Sequence, residues 1–290
     1  MTTRVSAERA GAAGHAGTDA CPDAEVLDAH GIRVVVAPDG GRIASIRAHG
    51  VELLARTPWA DELDDAWSMT ASSAEWHRRY RGGWHVLVPA AGDPSPDAVV
   101  EQPFHGEAAW RTWRLEHRVD AVVARVLLRT LPLHVERSVS IAPGRVTVET
   151  RVRNEGPDEA PIVWVEHPAF AGALFDDADV RLGDAAVPIV TAPGGEFADV
   201  DGAAGAVEVQ SRSAGLDLRM TWDADLLPRL YVWQERRGST GFPWWGAVDA
   251  VGIEPASDAY GTATAGTGSV RIAADAEIVS TVVLEIRPRR

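Results

Sequence analysis

The chain has 290 residues, 46% hydrophobic and 24% charged, an ordinary globular composition with enough apolar content for a large core. Its formal net charge of -14 argues against nucleic acid and anionic membrane as partners, since both need a basic footprint. Every basic residue is Arg and none is Lys, which excludes Schiff-base and lysine-base chemistry.

No stretch approaches the roughly 20 apolar residues of a membrane span. The Gly/Ala-rich segment after Arg4 and Arg9 is no apolar signal core. Cys21 is the only cysteine, so neither a disulfide framework nor a Cys-based metal site is expected, and cytoplasmic residence follows. Large all-β sandwiches often run past 200 residues as one unit, so a single domain is expected.

Residues 1–25 show neither period nor apolar content and are read as a mobile tail, with the folded domain spanning 26–290. Ile32 to Ala37 and Arg42 to Ala48 flank Pro38-Asp39-Gly40-Gly41, a hairpin whose glycines supply the turn. A second turn at His49-Gly50 leads into Val51 to Leu54. From Arg56 to Tyr80 periodicity disappears while Trp59, Trp67 and Trp76 accumulate, the mark of a functional loop. That loop ends at Arg81-Gly82-Gly83-Trp84-His85, before a short strand reaching Pro89. By strand count His85 lies opposite Trp84 and is read as structural.

Phe104-His105-Gly106 and Trp110 to Leu115 follow a Pro/Asp-rich loop. Ala121 to Arg129, Leu133 to Ile141 and Arg145 to Asn154 then alternate as a meander. Further short strands are read at 180–182, 187–190, 216–222, 230–233, 247–254 and 276–286. No segment holds a helical period over three turns. The architecture predicted is all-β, a large antiparallel sandwich of two packed sheets.

Two segments carry ionisable groups in the same grammar. Pro161 to Phe170 drives a β-branched run into His167, and Pro168, with no N–H, is expected to end the strand there. Alternation puts Val163, Val165 and His167 on one face, with Trp164 and Glu166 on the other. Gly241 to Ser257 likewise runs to Glu254 and then Pro255. Glu254 shares its face with Gly252, Ala250, Val248 and Gly246, small side chains that leave room for a ligand. Taken singly, the structural readings come first: a hydrogen-bonded histidine at a strand end, and a solvated carboxylate at a strand exit.

In this order the segments resemble the aldose 1-epimerase, or galactose mutarotase-like, family over most of the chain from about Val26. The resemblance rests on Val36-Ala37-Pro38-Asp39-Gly40-Gly41-Arg42-Ile43 with Glu52-Leu53-Leu54, on Gly82-Gly83-Trp84 with Pro89, and on Phe104-His105-Gly106. It continues through Asn154-Glu155-Gly156, His167-Pro168-Ala169-Phe170, Gly241-Phe242-Pro243-Trp244 and Gly252-Ile253-Glu254-Pro255. The family implies a supersandwich that holds a sugar. It implies His167 as the general acid toward the ring oxygen, Glu254 as the base toward the anomeric hydroxyl, and His105 as a substrate-binding histidine.

Opening a hemiacetal removes a proton from the C1 hydroxyl and adds one to the ring oxygen, so an imidazolium and a carboxylate on opposite sides suffice. No metal, nucleotide or redox cofactor is called for. The chain departs from better-known mutarotases at Arg81-Gly82-Gly83-Trp84, at Pro168 and at Ala90, which bears on the substrate rather than on the reaction. Trp84 and Trp233 are candidates for stacking on a pyranose, with core packing the alternative. Arg81 and Arg111 are candidates for an anionic group, with ordinary surface roles the alternative.

The expected partner is a small sugar. A non-catalytic carbohydrate-binding sandwich is the competing reading. A polysaccharide lyase is disfavoured, because the chain has no room for a helical domain and only Tyr80, Tyr231 and Tyr260 as phenols.

Overall fold

The computed structural model describes residues 23–60 and 69–289. Most of the expected tail, Cys21 and Trp67 therefore lie outside the described residues. The strands begin with β1 (Glu25–Ala29), β2 (Ile32–Val36), β3 (Ile43–Ala48), β4 (Val51–Glu52) and β5 (Gly83–Leu87). The meander follows as β6 (Arg114–His117), β7 (Ala121–Leu127), β8 (Leu133–Ala142) and β9 (Arg145–Asn154). After it come β10 (Ala160–Ile162), β11 (Val165–Ala171), β12 (Asp179–Leu182), β13 (Ala185–Ala186), β14 (Gly194–Val200) and β15 (Ala206–Ser211). The last are β16 (Leu216–Thr221), β17 (Arg229–Arg236), β18 (Asp249–Ala256), β19 (Val270–Ile272) and β20 (Glu277–Pro288).

Two antiparallel sheets of nine strands dominate, with β10 and β19 forming a separate pair. The first sheet runs β1-β2-β3-β5-β11-β18-β17-β14, with β4 on β3; the second runs β13-β12-β15-β16-β20-β9-β8-β7-β6. In β8 and β9 buried and part-exposed residues alternate, as expected where one face packs on a core and the other meets solvent. In β11 every residue but the last is buried, because both of its faces are covered. The core between the sheets joins Val34, Ile46, Trp84 and Trp164 of the first sheet region to Val135, Val148 and Leu284 of the second. A large all-β sandwich is thus what the chain forms.

Four expectations about the elements are corrected. The run from Pro161 to His167 is not one strand: β10 pairs with β19, and Val163 and Trp164 intervene before β11 joins the large sheet. Pro168 does not end β11, which continues to Ala171, so His167 stands mid-strand instead of at a mouth. Glu254 likewise lies inside β18, which continues through Pro255. The β11–β18 register lapses between Val165↔Ala256 and Ala169↔Gly252, the interval containing both prolines. Neither has an N–H to donate. Pairing of β11 with β5 and of β18 with β17 runs on beside the lapse and carries both strands forward.

The third correction is a helix, α1 (Ser72–Arg79), inside the segment read as loop. It offers only Trp76 as a buried apolar residue in two turns, too little to set a hydrophobic period. Its other buried side chain is Glu75, which accepts the Met69 N–H at 2.6 Å and pairs with Arg78 at 2.9 Å. The strands β1, β13, β14, β15 and β19 are not distinguished by alternation. The segment read as a strand at 187–190 forms none. No helix among the described residues is long and apolar enough to cross a membrane.

Candidate active site

Four adjacent central strands bring four side chains into one row. His85 of β5 is register partner to His167 of β11, and Glu254 of β18 is partner to Tyr231 of β17. His167 and Glu254 face each other midway through the lapse between β11 and β18. Side chains directly opposite on antiparallel strands lie on one face, so the row is a consequence of register alone. The face is the one turned away from the second sheet, since Trp84 and Glu166, one residue along, point into the core between the sheets.

His167 Nε2 lies 3.4 Å from Glu254 Oε1, both side chains buried. The sequence reading sets the two groups on opposite sides of a hemiacetal; the structure sets them side by side. The chemistry tolerates this, because the ring oxygen and the anomeric oxygen are both bonded to C1. His167 Nδ1 and Glu254 Oε1 have no hydrogen-bond partner among the described residues.

A loop supplies His105. It sits at φ 67°, followed by Gly106 at φ 75°. The left-handed conformation is rare for a residue with a β-carbon and persists where packing over-determines it. A β-carbon on Gly106 would run into the backbone of Val88 and Ala90, which accounts for the His-Gly pair. The Gly92 N–H donates to His105 Nδ1 at 3.1 Å, so the neutral ring carries its proton on Nε2. The His105 ring stands 5.4 Å from that of His167 and edge-on to Trp76 at 4.9 Å.

Burial governs the electrostatics. It lifts the Glu254 carboxyl well above the usual carboxylate range and drops the His167 imidazole to about 4. Burial thus disfavours the charged form of both groups, and so favours a carboxylic acid beside a neutral imidazole over the ion pair. Burial first, then neighbouring positive groups, holds His85 and His105 well below the ordinary histidine value.

His167, Glu254, His105 and Trp233 line one cavity of 140 Å³, together with Trp76, Tyr80 and Trp244 among others. Trp233 is in place for stacking: its ring centroid lies 6.2 Å from His167, and its strand partner is Gly252. Trp84 is not. Strand alternation turns it to the opposite face, where it is 0% exposed and donates to Glu166 Oε2 at 2.8 Å, so it is core.

Arg81 and Arg111 line a second cavity of 280 Å³ with Arg42 and Arg79, separated from the first by Trp76 and Tyr80, which wall both. Arg42 pairs with Asp39 at 3.0 Å and Arg111 with Glu107 at 2.8 Å. Among the described residues no group of three or more His, Cys, Asp or Glu side chains is arranged to hold a metal ion.

Sequence reasoning missed Tyr80, Trp76 and Trp244 as pocket residues, and His85, which lines the arginine cavity. His85 was legible in principle, since pairing β5 with β11 puts it beside His167. Trp76 and Tyr80 lay in the aromatic segment marked as functional, but no local pattern says which of its rings turn inward.

No family profile and no curated protein matches the sequence. Solved structures do match in fold. A protein of Synechocystis sp. PCC 6803 superposes with a TM-score of 0.71 at 13% identity, covering 92% of this chain and 96% of its own. A galactose mutarotase-like protein from Lactobacillus casei gives 0.64 at 16% identity, covering 91% and 100%. A galactose mutarotase-like protein from Clostridium acetobutylicum gives 0.64 at 15% identity, covering 91% and 94%. The chain has the galactose mutarotase-like fold.

Proposed function

We propose that the protein is an isomerase that interconverts the α and β anomers of an aldose by opening and closing the ring. The observation that carries this reading is the buried His167–Glu254 pair, 3.4 Å apart, on the floor of a pocket walled by tryptophans. A single proton on the pair suffices for a full turnover. In ring opening, His167 as imidazolium gives its proton to the ring oxygen while Glu254 takes the proton of the anomeric hydroxyl. The bond from C1 to the ring oxygen breaks and the C1 carbonyl forms. Glu254 is then protonated and His167 neutral, the form that burial favours in the empty pocket.

Rotation of the aldehyde group follows. Glu254 then returns a proton to the carbonyl oxygen as the C5 hydroxyl attacks and His167 takes its proton. Each half-reaction leaves the pair in the state the other needs. The Nε2–H of His105 is a donor for a sugar hydroxyl, and Trp233 offers a face for the apolar side of the ring.

The arginine-lined cavity beyond Trp76 and Tyr80 adds an expectation about the substrate. A guanidinium cluster beside the sugar pocket, across the wall of Trp76 and Tyr80, favours an aldose with an anionic substituent such as phosphate or sulfonate. NMR exchange spectroscopy across neutral, phosphorylated and sulfonated hexoses tests the function. Acceleration of anomer exchange for one class supports it, and binding without acceleration would mark a carbohydrate-binding module instead.

A further inference from the structure

Tyr80 closes helix α1, and its ring is part of the wall between the two cavities. It is 4% exposed. The ring stands edge-on to Trp233 at 5.7 Å and is tilted against Trp244 at 5.9 Å and Trp76 at 6.5 Å, so its orientation is set by packing on three sides. Its hydroxyl has no hydrogen-bond partner among the described residues.

That is unusual for a phenol held so rigidly. A buried hydroxyl that has left water without finding a partner is destabilising, and most buried side-chain polar atoms are paired. Among the described residues, the other buried polar atoms without partners around these cavities are Asp39 Oδ1, His85 Nδ1, His167 Nδ1 and Glu254 Oε1. The unsatisfied groups thus cluster where a polar ligand would meet them, and Tyr80 is the one among them that walls both cavities. Glu254 acts on it from the pocket side and Arg42 from the arginine side. Burial, and then the Glu254 charge, keep the phenol protonated well beyond its usual range, so it remains an O–H that can both donate and accept.

We propose that the Tyr80 hydroxyl is a recognition group that hydrogen-bonds one particular ring hydroxyl of the sugar, at the junction of the pocket with the arginine-lined cavity, and so determines which aldoses are accepted. The proposal rests on the reading that the pocket holds an aldose. A phenol fixed by three tryptophans cannot turn to follow a hydroxyl that has been inverted or removed. The group left unpaired then penalises the wrong sugar, which is how a buried polar contact discriminates more sharply than an apolar one.

The test compares wild type with Tyr80→Phe, a change that removes one oxygen and keeps the ring. Dissociation constants for D-glucose, D-galactose and their 6-phosphates, and for the monodeoxy analogues of whichever binds, are read from tryptophan fluorescence. Anomer exchange of the same sugars is followed by NMR. The expected result is an affinity about tenfold weaker for the parent sugar in Y80F. A single monodeoxy analogue should bind both proteins equally, and the thermal midpoint without ligand should not fall, since the hydroxyl removed has no partner. An equal loss for every analogue, or no loss for the parent, overturns the proposal. If sugars bind but no exchange is accelerated, the isomerase reading fails while the deoxy pattern still decides Tyr80. If no sugar binds wild type, both fail.

Discussion

Glu166 and His167 are consecutive residues on opposite faces of β11. Glu166 is fully buried, with its Oε2 2.9 Å from Arg137 Nη2 across the sandwich, while His167 faces the pocket. The Trp84 indole and the Thr150 hydroxyl also donate to the Glu166 carboxylate, at 2.8 and 2.9 Å. The second sheet therefore grips the strand directly beneath the proposed acid.

Removing one partner of this pair strands a charge in the core. Arg137→Met is expected to destabilise the protein by about 3–5 kcal/mol in urea unfolding. Arg137→Met combined with Glu166→Gln keeps the hydrogen-bond acceptor and removes the charge, and should recover most of that loss. Equal stability of Arg137→Met and wild type would show that the pair is not dry.

Gly252 precedes Glu254 by two residues on the same face, and a β-carbon there would run into the Glu254 carboxylate. Gly252→Ala should move the carboxylate away from His167 while leaving the sheet paired. We expect anomer exchange to fall by about 10- to 100-fold, with the unfolding midpoint shifted little. Full activity in this variant would place the base elsewhere.

The pair should give a bell-shaped profile of kcat/KM against pH, which reports the free enzyme. Below about 4, His167 takes up a second proton and the pair has no base. Above the raised value of Glu254 the pair loses its only proton and has no acid. The rate should be flat between these limits and show no break near 6.5. Polarimetry of Glu254→Gln and His167→Asn should find exchange reduced at least about 100-fold in each. Unimpaired exchange in both would sink the assignment.

Stability should also depend on pH, with two opposing signs. The folded values of His85, His105 and His167 are depressed by burial, so below about pH 6.5 the unfolded chain takes up protons first and stability falls as pH drops. Glu254 is raised, so its contribution has the opposite sign: stability falls as pH rises from about 4.5 toward its folded value. Three histidines against one carboxyl leave the histidines in control between these values, each at about 1.4 kcal/mol per pH unit where its unfolded form is charged. Urea midpoints should therefore drop from pH 7 to pH 5. Glu254→Gln should be more stable than wild type at pH 7, since it has no ionised unfolded form to favour; a less stable variant would contradict the raised carboxyl.

The sandwich was legible because period-two patterns such as Val146, Val148, Thr150 and Val152 report which face is buried. His167, Glu254 and His105 were legible from their motifs, and the structure gathers them around one cavity. What the sequence concealed was lateral order. Nothing local in Trp84-His85 says that β5 lies beside β11, yet that neighbour relation sends Trp84 to the core and His85 to the face that carries His167. Nor does the proline after His167 reveal that flanking strands carry β11 past it. The arginine-lined cavity assembles Arg42, Arg79, Arg81 and Arg111 from segments far apart in the chain, beyond the reach of any spacing rule.

The interval in which β11 and β18 face each other without ladder pairing has a mechanical meaning. Along the flanking β5–β11 and β17–β18 ladders the spacing of opposed residues is fixed by rungs of backbone hydrogen bonds. Across His167 and Glu254 those rungs are missing, and the gap between the two side chains is held from outside, by β5 on one flank and β17 on the other. The lapse leaves the sheet compliant along this seam. His167 and Glu254 can approach or part by a fraction of an ångström without breaking a backbone bond, and such small adjustment is what the alternating proton transfers proposed for them require.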